Sequence, residues 1–173
     1  MKKFLFAAIA LIAFQFSNAQ SFAKGDKFLE GTFRYTDNEE SQNFTISPKF
    51  GYFLSDKFAL GAEVNVAGGN KDAEAFGAGV FGRYYFFSIG EHLRVYSQAG
   101  VNTFNQKSTS ENTTSAGVGL GLNYFISKNL SLTFDVSSLA SYSNTEGAST
   151  TSFGFDGVNN PLNAPSFGLN YRF

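Results

Sequence analysis

The sequence contains no cysteine. That excludes a disulfide framework, thiolate catalysis, a cysteine-based metal site and a thioether lipid anchor. Tryptophan is absent as well, and the only histidine is His92. Any Ser–His arrangement would therefore have a single available base. Proline occurs three times in 173 residues, so very little of the chain is barred from regular strand pairing. An excess of basic charge is also missing. Lys and Arg number 13 against 14 Asp and Glu, which argues against nucleic acid as a partner. Beyond the first 19 residues no apolar stretch approaches the roughly 20 residues of a membrane-spanning helix.

The first 19 residues read as a secretory signal. Lys2 and Lys3 form a positive start, and Phe4 to Phe14 is an apolar run too short to cross a bilayer. Ser17 and Ala19 flank Asn18 with the small residues that a signal peptidase reads, so cleavage is expected before Gln20. Residues 20–173 then form one domain. Cleavage would remove two lysines and take the formal charge from −1 to −3.

That domain is rich in Phe (22 in the whole chain), Tyr (8) and Gly (18), and it alternates with a period of two along its length. Eight strands are expected, at about 27–35, 43–54, 58–67, 75–87, 92–104, 115–126, 130–142 and from about 165. Most supply the 9–11 or so residues that a tilted membrane-spanning strand needs. Ser55 to Lys57, Ser88 to Glu91 and Ser127 to Asn129 read as tight turns. Residues 36–42, 68–74, 105–114 and 143–164 read as longer polar loops. Short turns inside and long loops outside are the pattern of an outer-membrane barrel.

The charges choose between a barrel in lipid and a soluble sandwich. Glu30, Arg34, Lys49, Glu63, Arg83, Arg94, Asp135 and Arg172 all fall on the face opposite the apolar set of their strands. A lipid-facing Arg or Lys near the midplane costs about 2–4 kcal/mol, so that face is expected to be free of charge except for Lys27, which at the start of the first strand can reach the polar headgroups. The fold expected is an all-β, eight-stranded, antiparallel, up-and-down transmembrane β-barrel. Eight strands enclose a lumen that side chains can fill, so the eight charges are expected to form an interior network rather than line a channel.

Other patterns carry less chemistry. Gly117, Gly119 and Gly121 alternate within a strand and make room for large inward residues such as Phe81, Tyr85 and Tyr96, where a phosphate loop would place its glycines at a strand-to-helix turn. His92 lies beside an expected periplasmic turn, at the wrong end for an outer-rim catalytic site. No catalytic residues, cofactor or metal are expected. The loops carry Asp37, Glu39, Glu40, Asp72, Glu74, Glu111 and Glu146 against Lys71 and Lys107, which reads as a solvated acidic rim.

Several segments resemble a known family. They are Ile46-Ser47-Pro48-Lys49-Phe50-Gly51-Tyr52-Phe53, Leu60-Gly61, Gly82-Arg83-Tyr84-Tyr85-Phe86, Gln98-Ala99-Gly100-Val101 and Ser166-Phe167-Gly168-Leu169-Asn170-Tyr171-Arg172-Phe173. Together they look like the outer-membrane β-barrel domain family, the small group similar to the OmpA membrane domain, OmpX and OmpW. The resemblance implies an outer-membrane location in a Gram-negative bacterium, with lipid and lipopolysaccharide around a monomer. It implies that Tyr171 and Phe173 serve as a signal to the barrel assembly machinery, a transient partner. The role expected is structural or surface-interactive. The alternatives are a narrow pore or hydrophobic-solute conduit, and a lipid-modifying enzyme.

Overall fold

A computed structural model describes residues 22–38, 41–69, 74–107, 111–153 and 166–173. The expected signal at 1–19 and the loop acids Glu39, Glu40 and Asp72 lie outside the described residues. Nine strands follow in order: β1 (Lys27–Asn38), β2 (Ser41–Phe53), β3 (Phe58–Gly69), β4 (Ala75–Ile89), β5 (Leu93–Gln106), β6 (Asn112–Phe125), β7 (Leu130–Thr145), β8 (Ala148–Phe153) and β9 (Ser166–Arg172).

Each strand from β1 to β7 pairs antiparallel with the next, and β9 closes the ring between β7 and β1. Over the length of β9, closure satisfies the backbone groups that an open sheet edge would leave bare, as hydrocarbon requires. The eighth stave is built in two pieces. β9 lies against Leu130–Asp135 of β7, and β8 lies against Ala140–Thr145 of the same strand. The expected loop at 143–164 is corrected in this respect. Its first part continues β7, turns at Glu146-Gly147 and returns as β8. Both turn residues have positive φ, 48° and 92°, as a two-residue hairpin requires.

The other expected loops are also shorter than their polarity suggested. β1 runs to Asn38 and β2 starts at Ser41, while β3 continues to Gly69 and β5 to Gln106. Polar side chains do not stop strand pairing. Their appearance marks the height at which a stave leaves an apolar environment, while pairing continues above it.

The alternation places the large apolar side chains outside. Leu29, Phe33, Ile46, Phe50, Leu60, Val66, Phe76, Tyr84, Val101, Phe167 and Leu169 are all exposed, and Val80 reaches 63 %. Three irregularities interrupt the alternation, and the single one in β4 shifts its phase, so that Phe86 and Phe87 are both exposed. β4 skips Phe86 against β5, and β7 skips Val136 and Leu139 against β6. Such bulges bend and twist the sheet as closure demands. Two skips in β7 restore the phase, so Tyr142 is again exposed.

Inside, large rings lie over glycines on the neighbouring strand. Phe28 pairs with Gly51, Phe81 with Gly61 and Tyr96 with Gly121. A Cβ at any of these glycines would overlap the facing ring. The glycines thus let a narrow cylinder hold side chains otherwise too wide for it.

Candidate functional site

The lumen is stacked in three layers between its two ends. The lowest, beside the C-terminal Phe173 and the short turns, is aromatic. Phe22, Phe28, Phe53, Tyr85 and Phe125 are all buried. The Phe22 ring lies 4.3 Å from Phe53, 4.6 Å from Tyr85 and 5.1 Å from Phe125. A short turn before β1 holds Phe22 there. Ala23 N donates to Asp26 Oδ2 (2.8 Å), Lys24 N to Asp56 Oδ1 (3.0 Å) and Gly25 N to the Phe53 carbonyl (2.9 Å). Gly25 has φ 94°, which favours glycine.

The middle layer is ionic and centred on Glu30. Arg83 meets it with a two-pronged pair, Nη1 to Oε2 and Nη2 to Oε1, each 2.8 Å. Asn170 Nδ2 (3.0 Å) and Thr133 Oγ1 (3.2 Å) also donate to Oε2, and Lys49 Nζ stands 3.5 Å from Oε1. Arg83 has no exposed surface. Its remaining donors reach Gln98 Oε1 from Nε (3.0 Å) and Nη2 (2.8 Å), and Tyr85 Oη from Nη1 (3.3 Å). The guanidinium also lies 4.1 Å from the centre of the Tyr96 ring. Lys49 bridges to Asp135 at 3.5 Å and Glu63 at 3.9 Å. Asp135 accepts from Tyr96 Oη (2.7 Å) and Ser166 Oγ (2.8 Å).

Desolvating such charges costs several kcal/mol each unless their remaining lone pairs and protons are also bonded. Here neutral side chains complete that bonding. Asn123 extends the layer by accepting from Tyr85 Oη (2.8 Å) and donating to Thr133 Oγ1 (2.6 Å). The arrangement is a plug that fixes side-chain positions, with every carboxylate bound to a cation.

Five of the eight charged residues singled out by the sequence meet in this layer: Glu30, Lys49, Glu63, Arg83 and Asp135. The other three stand elsewhere. Arg172 pairs with Asp26 at 3.2 Å near the lower end. Arg94 donates to the Gly90 and Leu93 carbonyls at the same end. Arg34 lies above the plug. Sequence reasoning missed Phe22 and Asp26, which precede the first alternation. It also missed Gln98, Asn123, Thr133 and Asn170, which are uncharged. Their signal was the inward phase that they share with the charged residues.

The third layer is a polar vestibule of about 360 Å³ above the plug, toward the end away from Phe173. Arg34, Ser47, Asn65 and Asn102 are among its walls, and Lys49, Tyr96 and Asp135 form its floor. His92 sits at the far end, with Nδ1 3.2 Å from the Phe125 carbonyl. Among the described residues no three His, Cys, Asp or Glu side chains are placed to hold a metal ion.

Tyr171 and Phe173 are exposed on the outer face with their rings 6.4 Å apart. The Phe173 backbone exchanges two hydrogen bonds with Lys27, at 2.9 and 3.1 Å, which seals the lower end of the seam.

An apolar exterior, a charged interior and a closed ring of staves define the fold of a small transmembrane β-barrel. No protein-family model and no curated protein sequence matches the chain. Solved structures do. The N-terminal β-barrel domain of Pseudomonas aeruginosa OprF is similar at 20% identity and a TM-score of 0.56, over 87% of this chain and 98% of that one. A de novo designed transmembrane β-barrel is similar at 16% identity and a TM-score of 0.50, over 89% of this chain and 100% of that one. At such identities the likeness is one of fold.

Proposed function

We propose that this chain is an integral outer-membrane protein of a Gram-negative bacterium, with a structural or surface-interaction role and no catalytic activity. The observation that carries the reading is the plug. Arg83, Tyr85, Asn123 and Asn170 fill the middle of the lumen, and Phe22 fills its lower end. A cylinder closed in that way offers its exterior to lipid and its upper rim to the surroundings. The barrel is proposed to be a monomer, because β9 pairs with both β7 and β1 and leaves no free sheet edge over its length.

Its surroundings are proposed to be outer-membrane lipid and lipopolysaccharide, with the assembly machinery as a transient partner that reads Tyr171 and Phe173. Deleting Phe173 should lower the yield of assembled barrel; full yield without it would remove the assembly proposal. The narrow pore is the rival reading, favoured only by the vestibule. Planar-bilayer recording separates the two. The plug reading expects no discrete conductance steps from the wild-type protein. Regular steps would establish the pore.

A further inference from the structure

The vestibule contains two polar atoms that the plug does not use. Arg34 Nε is buried and has no hydrogen-bond partner among the described residues, and the same is true of Asn102 Oδ1. Both side chains line the same cavity. They belong to β1 and β5, four staves apart in a ring of eight, and so face each other across the lumen. One is a cationic donor and the other a neutral acceptor. Buried polar groups are bonded as a rule, and each exception calls for an explanation.

We infer that the vestibule is a binding site for a small hydroxylated carboxylate, held by its carboxylate at Arg34 and by a hydroxyl at Asn102. Two carboxylates, Glu63 and Asp135, also line the cavity, but Lys49 holds both, at 3.9 and 3.5 Å, which leaves Arg34 as the charge without a counterion there among the described residues. Lys49, Arg83 and Arg172 each have a carboxylate within 4 Å, whereas none stands that close to Arg34 among the described residues. Thr32, Thr45 and Ser47 add hydroxyls from β1 and β2 on the same side. Phe81, Tyr96 and Phe104 supply apolar wall for the carbon skeleton. A few convergent polar groups with apolar walls is the usual composition of a small-molecule site. This inference goes beyond the proposed role and does not depend on it, since a plugged barrel of any role could hold such a ligand.

The test is a titration of the ¹⁵N-labelled full chain in detergent micelles with glucuronate. Acetate and glucose, each carrying half of the recognised chemistry, are the comparison probes. An ionic strength of about 0.15 M limits the influence of exposed rim charges to roughly 8 Å. The inference expects a saturable shift of the Arg34 Nε–H and Asn102 side-chain signals. Glucuronate should bind at least about tenfold more tightly than either comparison probe, and Arg34→Gln should weaken it about tenfold or more. Asn102→Ala should reduce glucuronate to the affinity of acetate. If Arg34→Gln does not fold, the wild-type titrations and Asn102→Ala still decide. Linear shifts, or equal affinities for glucuronate and acetate, would mean that ordered water satisfies both atoms, and the inference would fall.

Discussion

Arg83 and Glu30 meet in a two-pronged pair, 2.8 Å at each prong, with no exposed surface on either side chain. They come from β4 and β1 and are 53 positions apart in the chain. The pair therefore ties two walls of the cylinder together, and Arg83 would be an uncompensated charge without Glu30.

The two partners are not equivalent. When Arg83 is replaced by Met, Glu30 keeps Lys49, Thr133 and Asn170. With Glu30→Gln, Arg83 loses the one carboxylate within 4 Å among the described residues. Removing one member of a buried pair costs about 3–5 kcal/mol, so both variants should be destabilised, Glu30→Gln more so. Urea unfolding in lipid vesicles measures this. The double variant should cost less than the sum of the singles; strict additivity would show that the pair is not coupled.

The two faces of the wall should respond oppositely to a cation. Val80→Arg places a charge on an exposed apolar position of β4, at a cost of about 2–4 kcal/mol if it lies near the midplane. Asn102→Arg places the same charge at the wall of the polar vestibule, away from hydrocarbon. Assembled yield, read as heat-modifiable gel migration, should drop sharply for the first and little for the second. Equal yields would contradict the assignment of faces. Asn123 would be a poor choice for the lumen side. It is fully buried and bonded to Tyr85, Thr133 and Ser131, so a larger residue there would break the plug.

Phe22→Ala should destabilise the barrel by about 3 kcal/mol, the low end for a buried Phe. The ring is 3 % exposed and packs on three others. The unfolding midpoint in vesicles is the measurement. No change would mean that the turn before β1 adds nothing to the core.

Much of this was legible in the sequence, for a specific physical reason. A wall with lipid outside and ions inside forces side chains into strict alternation, and Leu29/Glu30 or Val64/Glu63 display it directly. Strand ends were less legible. Thr36, Asp37 and Asn38 lack apolar character yet still pair with Asn43, Gln42 and Ser41. β8 was hidden similarly: Ala148 to Ser152 is a polar run whose pairing depends on a turn at Glu146-Gly147. The site was half legible. Ionisable residues could be assigned to the lumen by phase, but strand stagger decides which of them share a height. Stagger separates Arg34, Arg94 and Arg172 from the plug and brings Glu30 to Lys49 and Arg83.

The absence of cysteine makes one measurement especially direct, because any introduced cysteine is the only attachment site. Single spin labels placed in turn along β3, from Ala62 to Val66, report contact with dissolved oxygen, which concentrates in lipid. The account predicts maxima at Ala62, Val64 and Val66, with minima at Glu63 and Asn65. Uniform accessibility along the strand, or maxima at Glu63 and Asn65, would contradict it.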